Sequence, residues 1–216
     1  MPLMISIVGR AKSGKTSLLE RLIPELKRRG YRLATIKHSA HGYDLNQTGK
    51  DSQRLANAGS DAVVVSSYQG LSMIKNVEKE LGPEELSLEV GYNYDLIFTE
   101  GFKKGKSAKI EVCKPGPAAS LVCDPSELMA VVADEALDIT VPIYPRSDIS
   151  GLADLIEQRF LAQASNSELS LSVNDHPIPL SPFIQDYMSR IVLAMVSGLK
   201  GTGEAGSVNI RLRRGR

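Results

Sequence analysis

The run Gly9-Arg10-Ala11-Lys12-Ser13-Gly14-Lys15-Thr16 fits G-x-x-x-x-G-K-[ST], the spacing of a phosphate-binding P-loop. Each position has a physical reason. Glycines let the backbone curl until its N–H groups converge on phosphate oxygens, and the start of the following helix adds a dipole that favours an anion. Gly9, Lys12, Ser13, Gly14 and Ser17 are therefore candidate nucleotide-binding residues. Lys15 is expected to reach the β- and γ-phosphates, and the Thr16 hydroxyl to bind Mg²⁺. The competing interpretation is a glycine turn that merely links a strand to a helix.

A phosphate loop alone does not name a reaction, so a metal-side carboxylate and an acceptor site are sought at neighbouring strand ends. Asp95-Leu96-Ile97-Phe98-Thr99-Glu100-Gly101 is an apolar strand whose last residue before glycine is Glu100. Glu100 is thus the leading catalytic acid beside Lys15, either as a water-mediated Mg²⁺ ligand or as the group that orients an attacking water. Lys37 and His38 emerge from another strand, Leu33 to Ile36, where they could contact a phosphate or an anionic acceptor. The polar loop beyond them carries His41, Asp44 and Thr48-Gly49-Lys50-Asp51-Ser52. Asp44 is a further candidate Mg²⁺ ligand, and Asp51 can cap a short helix bearing Arg54. His38 and His41 have no strong third ligand nearby, so zinc is not expected.

These residues require a particular scaffold. Leu3 to Val8 is a β-branched run that ends at Gly9, and Leu18, Leu19, Leu22, Ile23 and Leu26 share one face of a helix from Lys15 to Arg29. Gly30 stands where a helix end favours positive φ. The alternation continues through a helix at Asp51 to Ala58, a strand at Ala62 to Val65, a helix from Pro83 to Val90 and the Asp95 strand. Apolar runs follow at Ile110 to Cys113, Leu121 to Cys123, Met129 to Ala133 and Val141 to Tyr144, and Asp148 can cap a helix reaching Phe160. Such alternation predicts an α/β fold, a mostly parallel sheet with helices on both faces and ligands beyond the carboxyl ends of the strands.

Residues 1–162 are read as this nucleotide-binding domain, 163–168 as a polar linker and 169–216 as a small C-terminal α+β interaction module. The module reads as a hairpin around Asn174-Asp175, an apolar helix from Phe183 to Leu199 and a closing strand from Ser207 to Leu212. Phe183, Tyr187, Ile191, Met195 and Leu199 are expected to pack on the main domain or on another subunit, because so small a module rarely stabilises itself. The glycine-rich stretch Gly201 to Gly206 reads as a connector, and the arginines from Arg211 to Arg216 as a solvated end.

The chain has 216 residues, 42% hydrophobic and 24% charged, which excludes disordered, collagenous and coiled-coil classes. A formal charge of +1 provides no bulk attraction to nucleic acid or an anionic membrane. Cys113 and Cys123 are too few for a disulfide framework and read as buried apolar residues. Without a basic leader or a long apolar run, a cytoplasmic location is expected.

Taken together, the P-loop, Thr35-Ile36-Lys37-His38, Gly49-Lys50-Asp51-Ser52 with Arg54 and Ala58-Gly59, and Asp95 to Lys103 resemble the molybdopterin-guanine dinucleotide biosynthesis protein B family. Lys109-Ile110-Glu111-Val112 and Ala130-Val131-Val132-Ala133-Asp134 are similar to its later landmarks. The resemblance implies a homodimeric protein that binds GTP with Mg²⁺, hydrolyses it slowly and assists a guanylyltransferase that joins GMP to molybdopterin. It puts Gly9, Ser13, Gly14, Lys15 and Thr16 on the phosphates, Glu100 in a metal-side motif, and Lys37, His38, Lys50, Asp51 and Arg54 around a second ligand region. The chain departs from the family at Ala40-His41, where two histidines are frequent, and at Thr48, where proline is frequent. No Asn-Lys-x-Asp guanine motif is present, and Asp134 could either accept from guanine N1 and N2 or cap the next segment. The competing function is a P-loop small-molecule kinase or an ATP-dependent ligase resembling dethiobiotin synthetase. Its arginine-bearing lid has no counterpart between Gly105 and Asp124, where the cations are Lys106, Lys109 and Lys114.

Overall fold

The computed structural model describes residues 3–39, 50–91, 93–114, 121–161, 169, 171–174, 176–200, 202 and 208–210. In chain order the elements are β1 (Leu3–Val8), α1 (Lys15–Arg28), β2 (Leu33–Lys37), α2 (Lys50–Asn57), β3 (Ala62–Ser67), β4 (Gly70–Lys75) and α3 (Pro83–Val90). They continue with β5 (Leu96–Glu100), β6 (Ala108–Val112), a 3₁₀ turn at Pro125–Glu127, β7 (Leu128–Val132), β8 (Ile143–Tyr144) and α4 (Ile149–Ile156). A wider π-type turn extends α4 over Glu157–Leu161, and the tail adds β9 (Leu171–Val173), β10 (His176–Ile178) and α5 (Pro182–Ser197).

The expected α/β architecture forms. Six strands make one sheet in the order β2-β5-β1-β6-β7-β8, and every neighbouring pair is parallel. The strands that carry the chemistry are consequently adjacent: β1 runs into the phosphate loop, β5 lies beside it, and β2 lies beyond β5. The register pairs Ile7 with Glu100 and Lys37 with Glu100, so these strands end level.

Strand alternation decides the two faces. Ile5 and Ile7 of β1, Leu96 and Phe98 of β5, and Ile110 and Val112 of β6 pack with Leu18, Leu22 and Leu26 of α1 and with Leu152 and Ile156 of α4. Val8, Val131 and Ala133 meet the loop residues Leu121, Leu137, Ile139 and Val141 instead. Fixed caps define where the helices begin and end. Gly30 adopts φ 98°, and the N–H groups of Gly30 and Tyr31 donate to Lys27 O and Leu26 O at 3.0 and 3.2 Å. Asp148 accepts from Gly151 N–H at 2.9 Å and starts α4, as the sequence suggests.

Arg29 then joins α1 to α4, donating to Asp154 at 2.5 Å and to Glu157 at 2.9 Å. Among the described residues, no helix is long and apolar enough to cross a membrane.

Several expectations need correction. Ala62 to Val65 is not part of the main sheet, because it pairs antiparallel with β4, a strand the sequence reading omits. Leu121 to Cys123 forms no strand; Glu111 accepts from the N–H groups of Val122 and Cys123 at 2.7 and 3.0 Å, so a side chain occupies the place of a ladder partner. Asp51 sits inside the first turn of α2 rather than before it. Residues 208–210 of the expected closing strand are not in a strand, and its remainder lies outside the described residues, as does the 163–168 linker.

Candidate functional site

The loop between β1 and α1 has the backbone its residue types allow. Gly9 and Gly14 take φ 142° and 93°, and Lys12 takes φ 59°. A Cβ on Gly9 would lie 2.4 Å from the carbonyl oxygen of Val112 and 2.8 Å from Ser13 Oγ, so the close approach of β1 to β6 requires glycine here. Ser13 is 1% exposed, and its hydroxyl is buried with no hydrogen-bond partner. An orphaned donor inside a narrow, glycine-lined turn fits an anion-binding loop.

Lys15 Nζ folds back over the loop, donating to Arg10 O at 2.8 Å and to Gly9 O at 3.3 Å. Burial pushes its pKa below the ordinary value; Glu100 opposes this, while the cations of Lys103 and Lys37 add to it. Three lysines and one carboxylate thus share the mouth of the loop. Thr16 Oγ1 donates to both carboxylate oxygens of Glu100, each at 3.0 Å, and Lys37 Nζ lies 3.6 Å from Glu100 Oε2. A hydroxyl and a carboxylate are hard oxygen donors of the kind Mg²⁺ takes, so the residues present fit that ion.

His38 is held beside them. Its N–H donates to Glu100 O at 3.1 Å, its ring lies against Phe102 at 5.2 Å, and Nε2 contacts Glu80. Gly101 has φ 110°, and a Cβ there would lie 3.1 Å from His38 Cβ. Behind the turn, Ser6 Oγ bonds Thr99 Oγ1 at 2.7 Å and Ser107 Oγ at 2.6 Å, which ties the segment after β5 to β1.

Lys15, Thr16, Glu100, Lys37 and His38 therefore meet at one sheet edge. Gly9, Lys12, Ser13, Gly14 and Ser17 frame or flank the same loop. Asp51 and Arg54 are exposed and pair with each other at 3.3 Å on α2, a helix that packs on β3. Lys50 begins that helix, and Asp44 and His41 lie outside the described residues.

Asp134 lies near the other flank of the loop, where Oδ1 accepts the Arg146 N–H at 2.9 Å and Oδ2 lies 3.3 Å from Arg146 Nε. The Arg146 guanidinium in turn donates to Ser13 O at 3.0 Å. Sequence reasoning misses Arg146, which belongs to no motif, and gives Lys103 no part in the site.

The sequence model for molybdopterin guanine dinucleotide synthesis protein B matches residues 4–134, a span that includes both strand ends just described. The chain belongs to the MobB family. It is 35% identical over 159 residues to the molybdopterin-guanine dinucleotide biosynthesis adapter protein of Escherichia coli K12, covering 71% of this chain and 90% of that one. A putative adapter protein of the same description from Methanocaldococcus jannaschii is 22% identical over 242 aligned positions and covers 97% of both chains, so that similarity extends into the tail. Among solved structures, a molybdopterin-guanine biosynthesis protein B superposes with TM-score 0.53 at 30% identity, covering 74% of this chain and 99% of that one. The family model therefore spans the phosphate loop and the sheet from β1 to β7.

Proposed function

We propose that this chain is an adapter in molybdopterin-guanine dinucleotide biosynthesis that binds GTP with Mg²⁺ at the loop from Gly9 to Thr16 and assists a guanylyltransferase. Family membership supports the pathway, since the E. coli relative is described as such an adapter. The observation that carries the nucleotide reading is the convergence of Lys15, Thr16 and Glu100 across adjacent strand ends.

The roles follow from charge and geometry. Backbone N–H groups of the loop and the Lys15 ammonium receive the β- and γ-phosphates. Thr16 and Glu100 hold Mg²⁺, which when bound neutralises charge developing on the phosphate oxygens. Glu100 can also orient an attacking water. Lys37, His38 and Lys103 supply donors and positive charge for the second anion, the molybdopterin or the transferase-bound nucleotide. Slow hydrolysis is part of the proposal; among the described residues, Arg146 beside the loop is engaged by the carbonyls of Ser13 and Cys113 and by Asp134, which supports it.

A homodimer is part of the proposal. Among the described residues the β3–β4 ribbon has two strands, and it exposes Val64, Leu71 and Met73, with Tyr68 at its tip. Two-stranded ribbons are marginal in water, so covering this surface with a second copy stabilises it. The 169–216 segment is proposed as an interaction module on similar grounds, because Phe183, Tyr187 and Met195 of α5 are exposed.

Of the cations that a kinase lid would need between Gly105 and Asp124, Lys109 is buried in an ion pair with Glu127 at 2.6 Å, which disfavours the kinase or ligase alternative. The functional test is to add the purified chain to a molybdopterin guanylyltransferase and follow dinucleotide formation at limiting GTP. Stimulation lost in Lys15→Ala supports the proposal, and equal stimulation by that variant contradicts a nucleotide-dependent role.

A further inference from the structure

Arg146 follows β8, three strands away from β1 in the sheet order, yet its side chain reaches the phosphate loop. Nη1 donates to Ser13 O at 3.0 Å and Nη2 donates to Cys113 O. Asp134 takes the backbone N–H at 2.9 Å and places a carboxylate oxygen 3.3 Å from Nε. One guanidinium thus joins the segments that leave β1, β6 and β7 to its own segment after β8. The side chain is 21% exposed, and Nε is buried without a hydrogen bond, leaving the Asp134 charge to hold it.

The consequence for the loop follows from peptide geometry. Ser13 C=O and Gly14 N–H belong to one planar trans peptide and point in opposite directions. Anchoring that carbonyl on Arg146 turns the Gly14 N–H away from Arg146. Gly14 has φ 93°, and a Cβ there would lie 2.8 Å from Nη1, so the contact and the left-handed backbone occur at one residue.

We propose that Arg146, held in turn by Asp134, is a positioning residue that presets the phosphate loop by fixing the Ser13–Gly14 peptide with its N–H toward the phosphates. The proposal rests on the nucleotide-binding reading above and deepens it. It also gives Asp134 a role independent of the base. Lysine cannot take the place of arginine here, because acceptors on separate segments require a planar fork rather than a point charge.

The test measures the dissociation constants of Mg²⁺ complexes of a non-hydrolysable GTP analogue, a non-hydrolysable ATP analogue and inorganic pyrophosphate. The proteins are wild type, Arg146→Ala, Arg146→Lys, Asp134→Asn and Lys15→Ala, with melting temperatures recorded alongside. Both Arg146 variants are expected to weaken every ligand that wild type binds by a common factor, about tenfold or more. Asp134→Asn is expected to weaken them by a smaller but equally base-independent factor, and amide exchange at Gly14 is expected to quicken in all three. Should Arg146→Ala not fold, the lysine and asparagine variants carry the same comparison.

A lower melting temperature with affinities within about twofold of wild type would make Arg146 merely structural and overturn the proposal. Loss confined to the guanine analogue would also overturn it, making the pair a base reader. If wild type binds none of the three ligands, the nucleotide reading itself fails and the positioning role falls with it. Binding that is lost in Lys15→Ala but intact in the Arg146 variants leaves that reading standing and removes only this one.

Discussion

The Thr16 hydroxyl donates to both carboxylate oxygens of Glu100 at 3.0 Å, although 84 residues separate them. Parallel pairing of β1 with β5 brings them together, since Ile7 is level with Glu100 and the loop after β1 turns back over that end. Two oxygen donors so placed, with Lys15 and Lys37 alongside, are the groups that the proposed metal side of the phosphate site would use.

Glu100→Gln keeps the shape and removes the charge. With Mg²⁺ present, affinity for a non-hydrolysable GTP analogue is expected to fall about tenfold or more, while affinity measured in chelator changes little. Titrations with and without Mg²⁺ check this; an equal loss in both would remove Glu100 from the metal side.

Gly9→Ala should destabilise the whole domain. The new methyl meets the Val112 carbonyl at 2.4 Å on rigid backbone, and the residue must hold φ 142°. Strain and overpacking together imply a loss of roughly 2–5 kcal/mol, readable as a lower urea midpoint with an unchanged slope.

The seam between α1 and α4 is expected to weaken in acid. Hydrogen bonds from Arg28 and Arg29 lower the Glu25 carboxyl from 4.5 to about 2, and those from Tyr31 and Arg29 also lower Glu157. A depressed carboxylate contributes its stabilisation fully above its unfolded value and loses it as pH falls toward the folded one. The melting temperature should therefore drop as pH goes from about 4.5 to about 2, and Glu25→Gln should flatten that drop. A variant with the same acid profile as wild type would remove Glu25 from the account.

The sequence made the phosphate loop legible because its residues are contiguous and each has a local backbone reason, as Gly9 and Gly14 show. Glu100 was legible because an apolar strand that ends in Glu-Gly announces its own edge. Arg146 was not. Its place beside Ser13 depends on the strand order β1-β6-β7-β8, which no spacing along the chain encodes. The β4 strand was missed for a different reason: its alternation is short and breaks at Met73-Ile74, and Leu71 and Met73 are exposed while Ile74 is buried. The Asp51 offset is of the size that fraying helix ends produce.

The most direct test of the central claim is calorimetric titration of wild type and Lys15→Ala with non-hydrolysable GTP and ATP analogues in the presence of Mg²⁺. The account predicts saturable binding that favours the guanine analogue and is abolished in the variant, because Lys15 provides the charge over the loop. Preference for the adenine analogue, or binding that survives loss of Lys15, would contradict it.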